Sequence, residues 1–248
     1  MKFANTVRLA AALIFLPMAA ISAAAELPAP FEADYEGNKF PFSAKATIAL
    51  QRIGDYYRYA MRGSVRAAFF KWSDVTDCSI LRVQGERFFP VEYAHLDSRN
   101  PQRNLHARYD WERRALHIRR GDGAPEVVGD LPADAWDVMS VQLRLRADIA
   151  GAKPGTELAY DVIEKNHVKQ QRLKIESFDD VQVGGRAMQI VSAEADDGKH
   201  RHEFWFAKNY AWLPVRIAIS GVALDMVSSP EKAARAALPA SNAVPSCE

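Results

Sequence analysis

The chain has 248 residues, of which 48% are hydrophobic, 25% charged and 10% aromatic. That balance fits a globular protein and excludes disordered, collagen-like and low-complexity classes. A formal net charge of +1 offers no electrostatic case for nucleic acid or an anionic membrane as partner.

The first segment reads as an address. MKFANTVR carries Lys2 and Arg8, LAAALIFLPMAAI is an apolar run, and Ala23, Ala24 and Ala25 supply small residues before Glu26. This is the order of a secretory signal peptide, with cleavage expected after Ala25. The apolar run, at roughly 13 residues, falls short of the roughly 20 a spanning helix needs. Glu26 rather than cysteine follows the cleavage point, so no lipid attachment is expected. Residues 1–25 are thus expected to direct the protein to the periplasm. Losing Lys2 and Arg8 takes the net charge from +1 to −1.

Residues 26–229 read as a single β-rich domain of short alternating segments separated by turns. KATIALQR places Ala46, Ile48 and Leu50 on one face. After Gly54-Asp55, YYRYAMR alternates Tyr57, Tyr59 and Met61 with Arg58 and Arg62. SILRVQ and RFFPVEYAHL flank Gly85-Glu86, while NLHARYD and ALHIRR flank WERR. One stretch, DAWDVMSVQLRLRADIA, breaks the two-residue period. Trp136, Met139, Leu143 and Ala147 recur at helical spacing, and Val138, Val141, Leu145 and Ile149 widen the apolar face. With Asp134 as N-cap and Gly151 as terminator, a helix is expected over 134–149. LAYDVI, VKQQRLKIESF, AMQIVSAEA, HRHEFWFA and LPVRIAIS then resume the alternation.

About a dozen strands at this spacing predict a mainly β fold. The expected architecture is a curved antiparallel sheet, a half-barrel or open barrel, with one central helix covering its open side. Residues 230–248, rich in Ala and Pro, are expected to form a flexible C-terminal tail.

The histidines raise the question of metal chemistry. His200 and His202 share a strand face, and His106 and His117 flank a hairpin turn. Spacing supplies no third ligand and no HExxH or CxxC motif is present, so these four remain weak metal candidates beside a solvated-face reading. No GxSxG elbow or phosphate-cradling loop is found, and the paired aspartates lie in turns. No catalytic residue and no cofactor is therefore expected. An oxidising compartment permits a Cys78–Cys247 disulfide, although a buried Cys78 with a loose Cys247 is the simpler expectation.

The aromatic residues carry more information. Phe69, Phe70 and Trp72 cluster, as do Phe204, Trp205 and Phe206. Alternation sends Phe204 and Phe206 to one face and Trp205 to the other, so both faces of that strand need an apolar contact. The helix can cover one, and a partner or hydrophobic ligand the other. Phe69, Trp72, Trp136, Met139, Leu143, Phe204 and Phe206 are the residues expected to line a ligand-binding interior.

Several blocks also resemble a bacterial exported family, domain of unknown function 3108. They are YRYAMRGSVRAAFFKWSD, FFPVEYAH, YDWERRALHI, DAWDVMSVQLRLR and, above all, FWFAKNYAWLPVRI with its Trp, short turn and Leu-Pro-Val-Arg strand. The resemblance runs from about Phe31 to Ser229, nearly all of the mature chain. It implies no activity and no catalytic residues. Its β-rich organisation with one helix is similar to the half-barrel carriers that shuttle lipoproteins across the periplasm.

The resulting expectation is a non-enzymatic periplasmic protein that binds a lipid or other hydrophobic small molecule, with no nucleic-acid partner. An envelope scaffold that binds another protein is the first alternative. A metal-dependent hydrolase built on the histidine cluster is the second.

Overall fold

The computed structural model describes residues 27–67, 70–85, 87–164, 166–183, 186–196, 201–219, 222–229, 231 and 245–247. The expected signal peptide, Phe69, His200 and most of the C-terminal tail lie outside the described residues.

Eight strands precede the helix: β1 (Phe31–Lys39), β2 (Phe42–Ile53), β3 (Tyr56–Ala67), β4 (Phe70–Gln84), β5 (Arg87–Asp97), β6 (Leu105–Asp110), β7 (Ala115–Arg120) and β8 (Glu126–Val128). Helix α1 (Ser140–Ile149) follows. Then come β9 (Glu157–Glu164), β10 (His167–Val183), β11 (Arg186–Asp196), β12 (Arg201–Ala207), β13 (Leu213–Ile219) and β14 (Val222–Met226). Among the described residues all fourteen strands belong to one antiparallel sheet, in the order β8-β7-β6-β5-β4-β3-β2-β1-β14-β13-β12-β11-β10-β9. The sheet is therefore two meanders joined where β1 meets β14, with β8 and β9 as its free ends.

Alternation explains the strands that the sequence made visible. Ile48 and Leu50 of β2 stand opposite Met61 and Tyr59 of β3, and Ile48, Leu50, Tyr57 and Tyr59 are fully buried. Gly54 turns this hairpin at φ 59°, a conformation that costs glycine nothing. At the β1–β14 junction a different property of glycine matters. A Cβ on Gly37 would lie 2.2 Å from the Ala223 carbonyl oxygen, so only glycine lets the two meanders approach.

The sheet curls around α1, because partners far apart in strand order converge on that one helix and its N-terminal turn. Tyr59 of β3 donates to Gln142 at 3.2 Å, and Tyr160 of β9 donates to Asp148 at 2.9 Å. Arg146 donates to the Ala211 carbonyl between β12 and β13 at 2.8 Å, with its guanidinium 5.1 Å from the Phe31 ring of β1. Leu143, Leu145 and Ile149 fill the concave face together with Tyr35, Leu116, Ile118 and Phe206.

The helix begins at Ser140, not at residue 134 as the spacing suggested. Trp136 is committed elsewhere: its N–H donates to Asp161 at 2.9 Å and its carbonyl accepts from Ile163 at 2.7 Å. The working cap is Asp137. Its carboxylate accepts from Ser140 N–H at 2.8 Å while the Ser140 hydroxyl accepts from Asp137 N–H at 2.9 Å, a reciprocal capping box.

One further expectation changes. Cys247 is not loose: it is bonded to Cys78, and both pack on the convex side of the sheet against Ala60, Ile80 and Ala94. On the outer face of β12, Trp205 is partly covered from within the chain. The Arg216 guanidinium lies 4.4 Å from that ring and is held by Asp225 through bonds of 2.5 and 2.9 Å.

Candidate ligand site at the open seam

Between the free ends of the sheet the chain closes the gap with a peptide strap instead of a strand ladder. Leu131 N–H donates to Arg114 at 3.0 Å, and Arg114 Nε returns a bond to Leu131 O at 2.8 Å. Five residues later Trp136 pairs in parallel with Val162 of β9. The segment from 131 to 136 thus spans the seam. Asp137 then anchors its far end. Besides capping α1, this fully buried carboxylate accepts from Ser79 of β4 at 2.9 Å and Tyr109 of β6 at 3.4 Å. Burial pushes the Asp137 carboxyl above its ordinary range, against the pull of those donors.

A cavity of about 360 Å³ opens beside the strap. Phe88, Phe89, Trp111, Trp136 and Tyr160 supply aromatic walls, and Ala135, Ala147, Leu158 and Ala159 leave room between them. The rings brace one another: Phe89 meets Trp111 edge-on at 6.2 Å and Tyr109 stacks on Trp111 at 5.4 Å. The Trp111 indole N–H donates to Pro90 O at 2.6 Å.

Charge stands at the rim of this cavity. Arg144 grips Asp148 with two bonds of 2.9 Å, so that pair is internally neutral. Arg87 lies 5.3 Å from the Phe89 ring and has no carboxylate partner among the described residues. Asp134 also lines the cavity, so aromatic walls and charges of both signs share one lining, which suits an amphipathic molecule with a polar end.

Of the residues expected to line a ligand-binding interior, one lines this cavity. Trp136 lines the seam cavity, while Met139, Leu143 and Phe206 are buried in the core. Phe204 is half-buried and stacks on Phe206 at 6.4 Å. Trp72 is not among them, because it stands exposed near the start of β4, and Phe69 lies outside the described residues. The aromatic residues that sequence reasoning missed are Phe88, Phe89, Trp111 and Tyr160. Their signal is present in RFFPVEY and YDWERR, yet no local pattern brings those two stretches to β9.

The histidines do not assemble. His106 and His117 lie on one face but pair with Arg119 and Arg108 respectively. His106 instead bonds Glu92 at 3.0 Å, beside the Cys247 N–H on the same carboxylate oxygen. His202 stands on β12, opposite Ile219. Among the described residues no group of three or more His, Cys, Asp or Glu side chains is placed to hold a metal.

A different histidine is organised. Asp77 Oδ1 accepts from the Tyr93 hydroxyl at 2.7 Å and lies 2.9 Å from His95 Nδ1. An ionised carboxylate only accepts, so Nδ1 carries the proton. The Asp77 bond raises the His95 pKa. The network therefore contributes stability that is complete below the unfolded histidine pKa and is lost as pH rises through the folded one. In a proton-resolved titration His95 is expected to titrate above about 6.5, and D77N to bring it back to that value or lower. An unshifted His95 in the wild type would mean that the pair is not formed in solution.

Comparison with known proteins agrees with this architecture. No curated protein matches the chain. A crystal structure of a beta-barrel-like protein of domain of unknown function DUF1849, from Brucella abortus, is similar with a TM-score of 0.56 at 8% identity. The similarity covers 80% of this chain and 96% of that one. At such identity the likeness concerns the fold alone. The sequence itself matches a family model over residues 31–221, and the chain belongs to that family, described as protein of unknown function (DUF3108).

Proposed function

We propose that this protein is a periplasmic binding protein for a hydrophobic or amphipathic, lipid-like molecule, held at the seam of its open barrel. The observation that carries the reading is the aromatic-walled cavity of about 360 Å³ at the break in the strand ladder. Its volume falls within the roughly 300–1,000 Å³ typical of small-molecule sites. The Cys78–Cys247 bond and the signal-peptide pattern support an oxidising, exported setting.

Protein purified from a periplasm, extracted with organic solvent and analysed by mass spectrometry, is expected to yield one lipid-like species in stoichiometric amount. Ala147 lines the cavity and is exposed, so A147W fills the space without disturbing the core. It is expected to lower occupancy by about tenfold or more, since it removes the apolar contact area that supplies affinity. An empty wild-type extract would overturn the reading. Full occupancy in A147W would move the site away from the seam.

A further inference from the structure

At the opposite end of β4 and β5 from the seam cavity, the β1–β2 turn and the starts of β2 and β4 present rings to solvent. Phe40 is 97% exposed, Phe70 56%, Phe42 40% and Trp72 38%. Three of them form a cluster, with Trp72 5.7 Å from Phe42 and 5.9 Å from Phe70, and Phe40 lies two residues before Phe42 in the chain. Phe42 and Phe70 both pair with Ala67 of β3 from its two sides. Rings of this size carry roughly 150–250 Å² each. Together they form an apolar patch of the few-hundred-Å² order that marks an interaction surface.

The residues around the rings are cationic. Lys39 precedes Phe40, and Arg66 and Lys71 face each other across the β3–β4 hairpin. Arg99 stacks on Trp72 with its guanidinium 3.3 Å from the ring centroid. Lys71 is paired with Asp74 at 2.5 Å, while Lys39, Arg66 and Arg99 have no ion-pair partner among the described residues. The near-neutral charge of the whole chain thus conceals a positive end.

We propose that the β1–β2 turn, with the adjoining end of β3 and start of β4, docks the protein on an anionic lipid surface. The rings enter the headgroup region and the cations meet lipid phosphates, the division of labour used by interfacial anchors. Charge complementarity selects the lipid surface over a protein partner. Exposed rings beside long cationic side chains also suit insertion among lipid headgroups. This surface stands apart from the seam cavity, so either can fail without the other.

The test is flotation of the exported, N-terminally processed protein with vesicles of phosphatidylglycerol and phosphatidylcholine in equal parts. The wild type is expected to float with these vesicles, to release as salt is raised, and to bind pure phosphatidylcholine weakly. F40S/F70S changes two exposed rings and leaves the core intact, which circular dichroism would check. It is expected to weaken binding by about tenfold per ring, and K39S/R66S by about fivefold per cation. Failure of the wild type to float, or unaltered flotation of F40S/F70S, would overturn the proposal. Loss of an envelope protein from F40S/F70S pull-downs with vesicle binding unchanged would also overturn it, in favour of a protein interface.

Discussion

Replacing Cys78 and Cys247 together by alanine is expected to lower stability by about 2–5 kcal/mol, measured by urea unfolding of the oxidised protein. The bond joins residues 169 positions apart, and loop-closure entropy at that separation is worth about 5 kcal/mol in the chain-entropy picture. Packing adds to the loss. The bonded pair is buried against Ala60, Ile80 and Ala94, and Cys247 N–H donates to Glu92 at 3.1 Å. Each single variant should lose as much as the double variant, because either one removes the whole cross-link. Equal stability of wild type and double variant would show that the bond contributes nothing.

Asp137→Ala is expected to cost about 3–5 kcal/mol, since it strips the partner from several buried donors at about 1–3 kcal/mol for each one left unsatisfied. The carboxylate takes bonds from Met139 N–H, Ser140 N–H and the hydroxyls of Ser79 and Tyr109. Alanine leaves those buried donors unmatched and unties the strap from β4 and β6 in one step. Asp137→Asn keeps an acceptor for the two backbone donors and should lose less than half as much. The pH dependence has a definite sign. Burial raises the folded pKa above the unfolded value of about 3.9, so ionisation costs stability as pH climbs from that value through the folded pKa. The stability of wild type relative to D137N should therefore fall across that window in paired denaturation curves. A flat difference would exclude a raised Asp137 pKa.

Residue by residue, legibility followed the range of the interactions. β2 and β3 were readable because each carries its own two-residue alternation of large apolar side chains. β1 was not, since FEADYEGNK places small Ala33 and Gly37 on the inward face, where β14 must come close. The helix was found but begun too early. The Trp136 side chain has helical spacing, whereas its backbone is claimed by β9, a pairing that no local pattern reveals. The Asp77–His95 pair depends on a single irregularity: the register slips by one residue between Ile80 and Leu81. Counted evenly from the Gly85 turn, Asp77 would face Ala94. The seam cavity shares that dependence on distant contacts, for its walls come from β5, the β6–β7 turn, the strap, α1 and β9.

The strand order also has a consequence for how the chain reaches this structure. Among the described residues every ladder except one joins strands that are consecutive in sequence, and so closes a loop of tens of residues at most. The exception pairs Tyr35 with Met226 and Glu36 with Asp225. Closing that junction carries the largest entropic cost in the sheet. Each meander can zip from its own hairpins with mainly local contacts, leaving the β1–β14 ladder as the late step. Gly37, at that ladder, is then a residue whose replacement should speed unfolding while leaving the rate of folding nearly unchanged.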